Sequence, residues 1–209
     1  MSISSRSRQP HTATLAYRLH GNCYLNITSH CTLRCAFCPK FNRTWTVQDF
    51  NLLLTREPST AEVLAAVGDA GADQEMVFCG LGEPTLNLAV LLDVARALRA
   101  QGKRIRLNTD GLANLVHDRD VTAELAEVVD ALSISLNAQD EPTYNRHCRP
   151  KRAGAFAAVQ DFARLAKTRG MAVTLTAING LEGVDIDACE RIAGTLGVDF
   201  RRRELDVVG

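Results

Sequence analysis

The 209-residue sequence predicts an α/β fold, an open, partial TIM-type barrel of about six βα units with its active rim at the C-terminal ends of the parallel strands. Three observations carry that expectation. Short β-type runs alternate with helical runs from residue 23 onward, the pattern of βα units and a parallel sheet. About six units make a sheet too long to lie flat, yet roughly two units short of a closed barrel. No low-complexity linker, charge block or solenoid repeat breaks the alternation. Residues 1–22 therefore read as an N-terminal extension and residues 23–209 as one core domain.

The strand candidates are Cys23–Thr28, Glu75–Cys79, Arg104–Asn108, Ala131–Asn137, Ala172–Ile178 and Asp199–Leu205. Ala16–Leu19, in the extension, can pair with the first of them through a tight turn at His20-Gly21-Asn22. The helical runs are Thr60–Ala70, Leu86–Gln101, Thr122–Val129, Gly154–Arg169 and Asp185–Leu196. In Leu86–Gln101, Val90, Leu91, Val94, Ala97 and Leu98 recur at helical spacing while Arg96, Arg99 and Gln101 take the other face. Ser59 or Thr60 with Glu62, and Glu83-Pro84, are helix-start chemistry; Gly71 and Gly102 fit helix ends. The longest irregular piece is Pro39–Pro58, and long loops in compact domains often carry function.

Composition narrows the function classes. With 46% hydrophobic residues the chain can fill a core without staples, and its 24 basic and 24 acidic side chains cancel. Zero net charge argues against a protein that coats nucleic acid or anionic membrane. No run of about 18 apolar residues occurs, so no membrane span is expected. The N-terminal residues have arginines but no apolar stretch behind them, unlike a secretory signal. A cytoplasmic location follows as the expectation, and in a reducing cytosol clustered cysteines more often hold metal than pair as disulfides.

The chain has seven cysteines, and three stand in Cys31-Thr32-Leu33-Arg34-Cys35-Ala36-Phe37-Cys38, immediately after the first strand. Thiolates at this spacing can converge on one inorganic centre from a single curled loop. A structural zinc site needs a fourth ligand; no second CxxC or nearby HxxxH is present, and His30, adjacent to Cys31, is constrained in its reach. A 4Fe–4S cluster ordinarily takes four cysteines, so three leave one iron open for chemistry. The alternative is three unrelated buried thiols packing as small hydrophobes, which the loop position beside Arg34 and Lys40 disfavours.

This octad, with an aromatic before its third cysteine, resembles the signature of the radical S-adenosylmethionine (SAM) superfamily. The wider stretches YLNITSHCTLRCAFCPKF, NTDGLANL and SISLNAQDEPTYNRHCRP are most similar to the TatD family-associated radical SAM proteins, over about residues 23 to 150. The resemblance implies a 4Fe–4S cluster on Cys31, Cys35 and Cys38, with SAM chelating the fourth iron and Phe37 beside it. It implies reductive cleavage of SAM to a 5′-deoxyadenosyl radical that takes a hydrogen atom from an unidentified substrate. It further implies an external electron donor, flavodoxin or ferredoxin, and an association with a TatD-type hydrolase.

The other strand ends carry further candidates. Cys79-Gly80-Leu81-Gly82-Glu83-Pro84 combines glycines that let backbone approach a ligand with an acid that can bind a cation. It resembles the superfamily's GGE motif, which holds the SAM amino group, through Gly82 and Glu83, although Leu81 replaces the usual glycine. Asn108-Thr109-Asp110-Gly111 offers an amide and an acid that can hydrogen-bond ribose hydroxyls; turn punctuation is the alternative. Its order departs from the Asp-Thr-Asn-Gly common in glycyl-radical activating enzymes. Strand alternation gives Ser133, Ser135 and Asn137 one face, expected to point into the barrel because outward faces of parallel strands pack under helices. By resemblance, Ser135 and Asn137 are SAM ribose or carboxylate contacts.

The densest basic stretch, Arg146 to Arg152, surrounds His147 and Cys148. A solvated face is one reading; a rim that meets an anionic substrate, with Cys148 as the candidate catalytic thiol, is the other. In Arg201-Arg202-Arg203, alternation spreads the side chains over both faces. Cys23, Cys79 and Cys189, among apolar neighbours, read as inert core thiols. The leading function is thus a radical SAM enzyme whose open barrel admits a small molecule or a macromolecular segment. The alternatives are a glycyl-radical enzyme activating enzyme and a non-catalytic iron–sulfur or zinc binding module.

Overall fold

The computed structural model describes residues 13–42 and 44–205; most of the extension expected over 1–22 thus lies outside the described residues. Ala16–Leu19 (β1) and Asn22–Leu25 (β2) form an antiparallel pair, and the turn between them takes positive φ at His20 (51°) and Gly21 (77°). Both central residues of a hairpin turn need that conformation when the turn must match the twist of its strands. Glu75–Phe78 (β5), Arg104–Thr109 (β6), Ala131–Ser135 (β7), Ala172–Asn179 (β8) and Asp199–Glu204 (β9) then add in parallel, in chain order. The result is one seven-stranded sheet, β1-β2-β5-β6-β7-β8-β9. β1 and β9 lie at its two ends, so the barrel is open, as the sequence predicts.

Helices cover the outer face: Thr60–Val67 (α1), Leu88–Ala100 (α2), Ala113–His117 (α3), Thr122–Ala126 (α4), Glu141–Cys148 (α5), Ala155–Thr168 (α6) and Ile186–Leu196 (α7). The amphipathic spacing read from the sequence is the packing that forms: Leu91, Val94, Ala95 and Leu98 of α2 are buried, as are Val159, Phe162, Ala163 and Ala166 of α6. They meet Met76, Phe78, Ile105, Leu107, Ile134 and Leu175 from the strands in one core. Ser59 caps α1 in a reciprocal box with Glu62. That helix ends at Gly68 and not Gly71, because Gly68 turns the chain with φ of 60°. α2 starts two residues later than expected, after a 3-10 turn over Pro84–Asn87.

Three elements escaped the sequence pattern. The expected irregular stretch 39–58 contains a two-stranded hairpin, Thr46–Val47 (β3) with Phe50–Asn51 (β4), whose strands are too short to show alternation. α3 is likewise too short for a helical period. α5 reads as a polar basic run because few of its residues are apolar, yet its start is encoded: the Asp140 carboxylate accepts the Thr143 amide hydrogen and Pro142 sits in the first turn.

The outer helical layer rests on a few large side chains. Phe162→Ala, which empties the centre of the α6–sheet contact, is expected to lower the free energy of unfolding by about 3–5 kcal/mol in chemical denaturation.

Candidate functional site

The strand alternation that buries Phe78, Ile134 and Leu136 under the helices turns the intervening residues inward. A cavity of about 450 Å³ opens on that inner face. Cys31, Cys35, Phe37 and Cys38 line it from the loop after β2, and Gly82 and Glu83 from the loop after β5. Asn108 and Asp110 at the end of β6, Ser133 and Ser135 on β7, and Asn137 just past it complete the polar wall; β7 ends at Ser135, short of the expected Asn137, which turns the chain with φ of 59°. The residues singled out at four successive strand ends, except Cys148, therefore share one cavity, and the serine ladder faces inward as its alternation predicts.

The cysteine loop has no regular secondary structure and borrows its hydrogen bonds from its neighbours. The Arg34 amide donates to the Cys148 carbonyl (3.0 Å) and the Ala36 amide to the His147 carbonyl (2.8 Å). These are last-turn carbonyls of α5, which lack partners inside the helix. Lys151 Nζ donates to the Cys31 carbonyl (2.8 Å). On the other side the Glu83 amide donates to the His30 carbonyl (2.7 Å). Gly82 makes that approach fit, since a Cβ there would collide with the carbonyl oxygens of Thr28 and His30.

Glu83 is buried and fully engaged. Its Oε1 accepts from the Thr85 amide (3.1 Å) and from the hydroxyls of Thr85 and Thr109 (2.8 Å each). Its Oε2 accepts from the Asp110 amide (2.7 Å). The acid thus ties the end of β5 to the end of β6 and aligns the wall between them. Asp110 in turn accepts a hydrogen bond from the Thr32 hydroxyl, joining that wall to the cysteine loop. Burial, then the nearby charge of Glu83, pushes the Asp110 carboxyl well above the usual carboxylate range.

The thiols are held in their protonated form in the same way. Burial, with the Asp110 charge behind it, raises Cys31 to about 12. Cys35 is raised by its hydrogen bond with Cys148 and by burial, and Cys38 by burial. None of the three is in a disulfide, and all three are half-buried against the cavity. Among the described residues no three His, Cys, Asp or Glu side chains converge to hold a single metal ion. Three soft donors spread along one loop, facing a cavity that leaves room for a further ligand, fit a cluster better than one ion. Cys31, Cys35 and Cys38 are the residues that could hold such a cluster.

Two thiols change places relative to expectation. Cys148 does not stand on the rim: α5 points it, with Tyr144 one turn earlier, into the core, where it is fully buried behind Cys35 and outside the cavity lining. Cys79 is not an inert core thiol; it follows buried Phe78 on the strand path and so faces the cavity. The basic stretch is largely engaged in structure as well: Arg152 pairs with Asp118, and the His147 ring bonds the Glu182 carbonyl (2.8 Å). The cationic residues that do line the cavity are Arg201 and Arg203, while Arg202 points outward to Asp187 and Glu190. Alternation along Asp199–Leu205 was the available signal for that division. For the junction under the cysteine loop, Gly82→Ala is expected to lower unfolding stability by about 1–3 kcal/mol, read by denaturant titration.

The chain matches the family model of the radical SAM superfamily over residues 25–196. Among solved structures, TYW1 with a lysine–pyruvate adduct bound aligns with a TM-score of 0.61 at 16% identity, over 90% of this chain and 66% of that one. Streptococcus suis SuiB bound to the precursor peptide SuiA gives 0.65 at 13% identity, over 88% and 39%. Native anSMEcpe with bound AdoMet gives 0.60 at 17% identity, over 87% and 50%. At these identities the likeness is one of fold, and the chain spans between 39% and 66% of those structures' lengths. Because the family match takes in well over half of the sequence, cysteine loop included, this chain belongs to the radical SAM superfamily of enzymes.

Proposed function

We propose that this protein is a radical SAM enzyme of the TatD-associated kind, acting in the cytoplasm on a substrate yet to be identified. The observation that carries the reading is the shared cavity: three thiols from one loop and polar groups from the next three strand ends all line it. A 4Fe–4S cluster held by Cys31, Cys35 and Cys38, once reduced by an external flavodoxin or ferredoxin, would supply the electron for reductive cleavage of SAM and so the means of removing hydrogen from the substrate.

This chain's residues divide the remaining work. Cys31, Cys35 and Cys38 bind the cluster as thiolates, and Phe37 forms an apolar wall beside it. Gly82 lets the backbone of the loop after β5 come close to the ligand, and Glu83 positions it by holding the Thr109 and Asp110 hydrogen bonds. Asn108, Asp110, Ser135 and Asn137 present amide, acid and hydroxyl groups to ribose and to the methionine end of SAM. Cys148 serves the site by packing behind Cys35. On the motif resemblance, a TatD-type hydrolase is the expected associate.

Anaerobic reconstitution tests the reading. The protein is expected to take up about four irons and four sulfides per chain. After reduction with SAM it should release 5′-deoxyadenosine, and Cys31→Ala, Cys35→Ala and Cys38→Ala should each abolish release. Reduced protein with a full cluster that neither binds nor cleaves SAM refutes the reading. Because the folded thiols hold their protons above neutral pH, each must lose one to bind iron. Protons thus compete with iron at every pH below the thiol pKa, which for Cys31 is about 12, so iron retention against a chelator is expected to fall steadily as the pH is lowered through the neutral range.

A further inference from the structure

The cavity has two chemically different ends. Glu83 and Asp110 lie on the wall beside the cysteine loop, and both are tied to the chain by hydrogen bonds. Arg201 and Arg203 line the cavity from β9, the last strand of the sheet. Spaced two residues apart, they point the same way, while Arg202 between them meets two carboxylates on the outer surface. Neither cavity-facing arginine has a carboxylate partner among the described residues. Arg201 Nη2 donates to the Ser133 hydroxyl (3.4 Å) and Arg203 Nη2 to Asn137 Oδ1 (3.1 Å). Arg203 Nε is buried with no partner at all.

Arg203 is half-buried with its Nε unmet, and the exposed Arg201 stands beside it with like charge, so an anion in the cavity would satisfy the first and neutralise the pair. Burial and the Arg201 charge lower the Arg203 pKa, against the nearby thiols of Cys79, Cys35 and Cys148, which raise it. Two planar forks on one wall suit the bidentate geometry of a carboxylate or a phosphate. One such anion belongs to SAM itself, but two arginines on one wall offer more donors than a single carboxylate needs. Register distinguishes them further. Arg201 lies level with Thr176, itself paired with Ser135, one layer deeper than Arg203 and away from the strand-end loops that carry the cysteines.

We propose that Arg201 and Arg203 bind the anionic group, a carboxylate or a phosphate, of this enzyme's substrate. This assignment rests on the radical SAM reading and names the chemical class that the reading leaves open. Substrates are then acids or phosphate esters, oriented with the anion at β9 and the reacting carbon toward the cysteine loop.

Two arms test it, each on the full chain. In the first, inorganic phosphate and acetate are titrated at constant ionic strength against cluster-loaded, SAM-saturated protein, with thermal unfolding as the readout. At least one anion should raise the melting temperature of the parent protein. Arg201→Gln and Arg203→Gln should each weaken its binding about tenfold or more, and Arg202→Gln should leave it unchanged. In the second, equilibrium binding of SAM to the same loaded variants should stay within about threefold of the parent, a change too small for loss of a charge-assisted bond. No stabilisation by either anion, or stabilisation that survives both substitutions, overturns the assignment. So does a parallel loss of SAM affinity in both variants, which places the SAM carboxylate on the arginines. Should Arg203→Gln not fold, Arg201→Gln against Arg202→Gln decides alone. Loaded parent protein that binds the anion but does not cleave SAM fails the enzyme reading and not the anion site.

Discussion

Everything at the proposed centre depends on how a loop without regular structure is kept in place. The segment carrying Cys31, Cys35 and Cys38 is too short and too curled to satisfy its own backbone, and a helix end supplies the missing partners. The Arg34 and Ala36 amides meet the Cys148 and His147 carbonyls of α5, and Glu83 closes the other side through its amide to His30. Each partner needs the other, since the carbonyls of a helix's last turn are orphans as much as the loop's amides are. The loop geometry is thereby set by the sheet and helices, before any inorganic centre forms.

The same economy runs along the strand ends. Glu83 reaches across from the end of β5 to Thr109 and Asp110, and Asp110 reaches on to Thr32. Three successive βα loops are laced into one wall by side chains short enough to be rigid. What this costs is visible in the protonation of the groups involved, with the Asp110 carboxyl and the loop thiols all raised by burial.

Local pattern made much of this legible. The six parallel strands, their order and the openness of the barrel follow from alternating β and amphipathic runs, because each period reports which face is buried. The cysteine spacing and the shared face of Ser133 and Ser135 were equally readable, being consequences of sequence distance, whereas Asn137 reaches the cavity from beyond the end of the strand. Cys148 was not, because the helix that buries it is polar over most of its length and lacks a repeat of apolar residues. Cys79 was misplaced for a related reason: apolar neighbours along a strand do not say which side of the sheet a residue takes. Of the arginine triplet, alternation divided the faces, but only the fold could say which side held the cavity.

The sequence by itself thus determined the architecture and the superfamily, because hydrophobic period and motif spacing are properties of the chain. Tertiary structure alone decided the use of each polar residue. Which carboxylate is tied up, which thiol is buried and which guanidinium lacks a counter-charge depend on groups far apart in sequence, such as Thr32 with Asp110 (78 apart) and Arg203 with Asn137 (66 apart). Hydrogen bonding and desolvation act through space, and only the folded barrel brings those partners within reach.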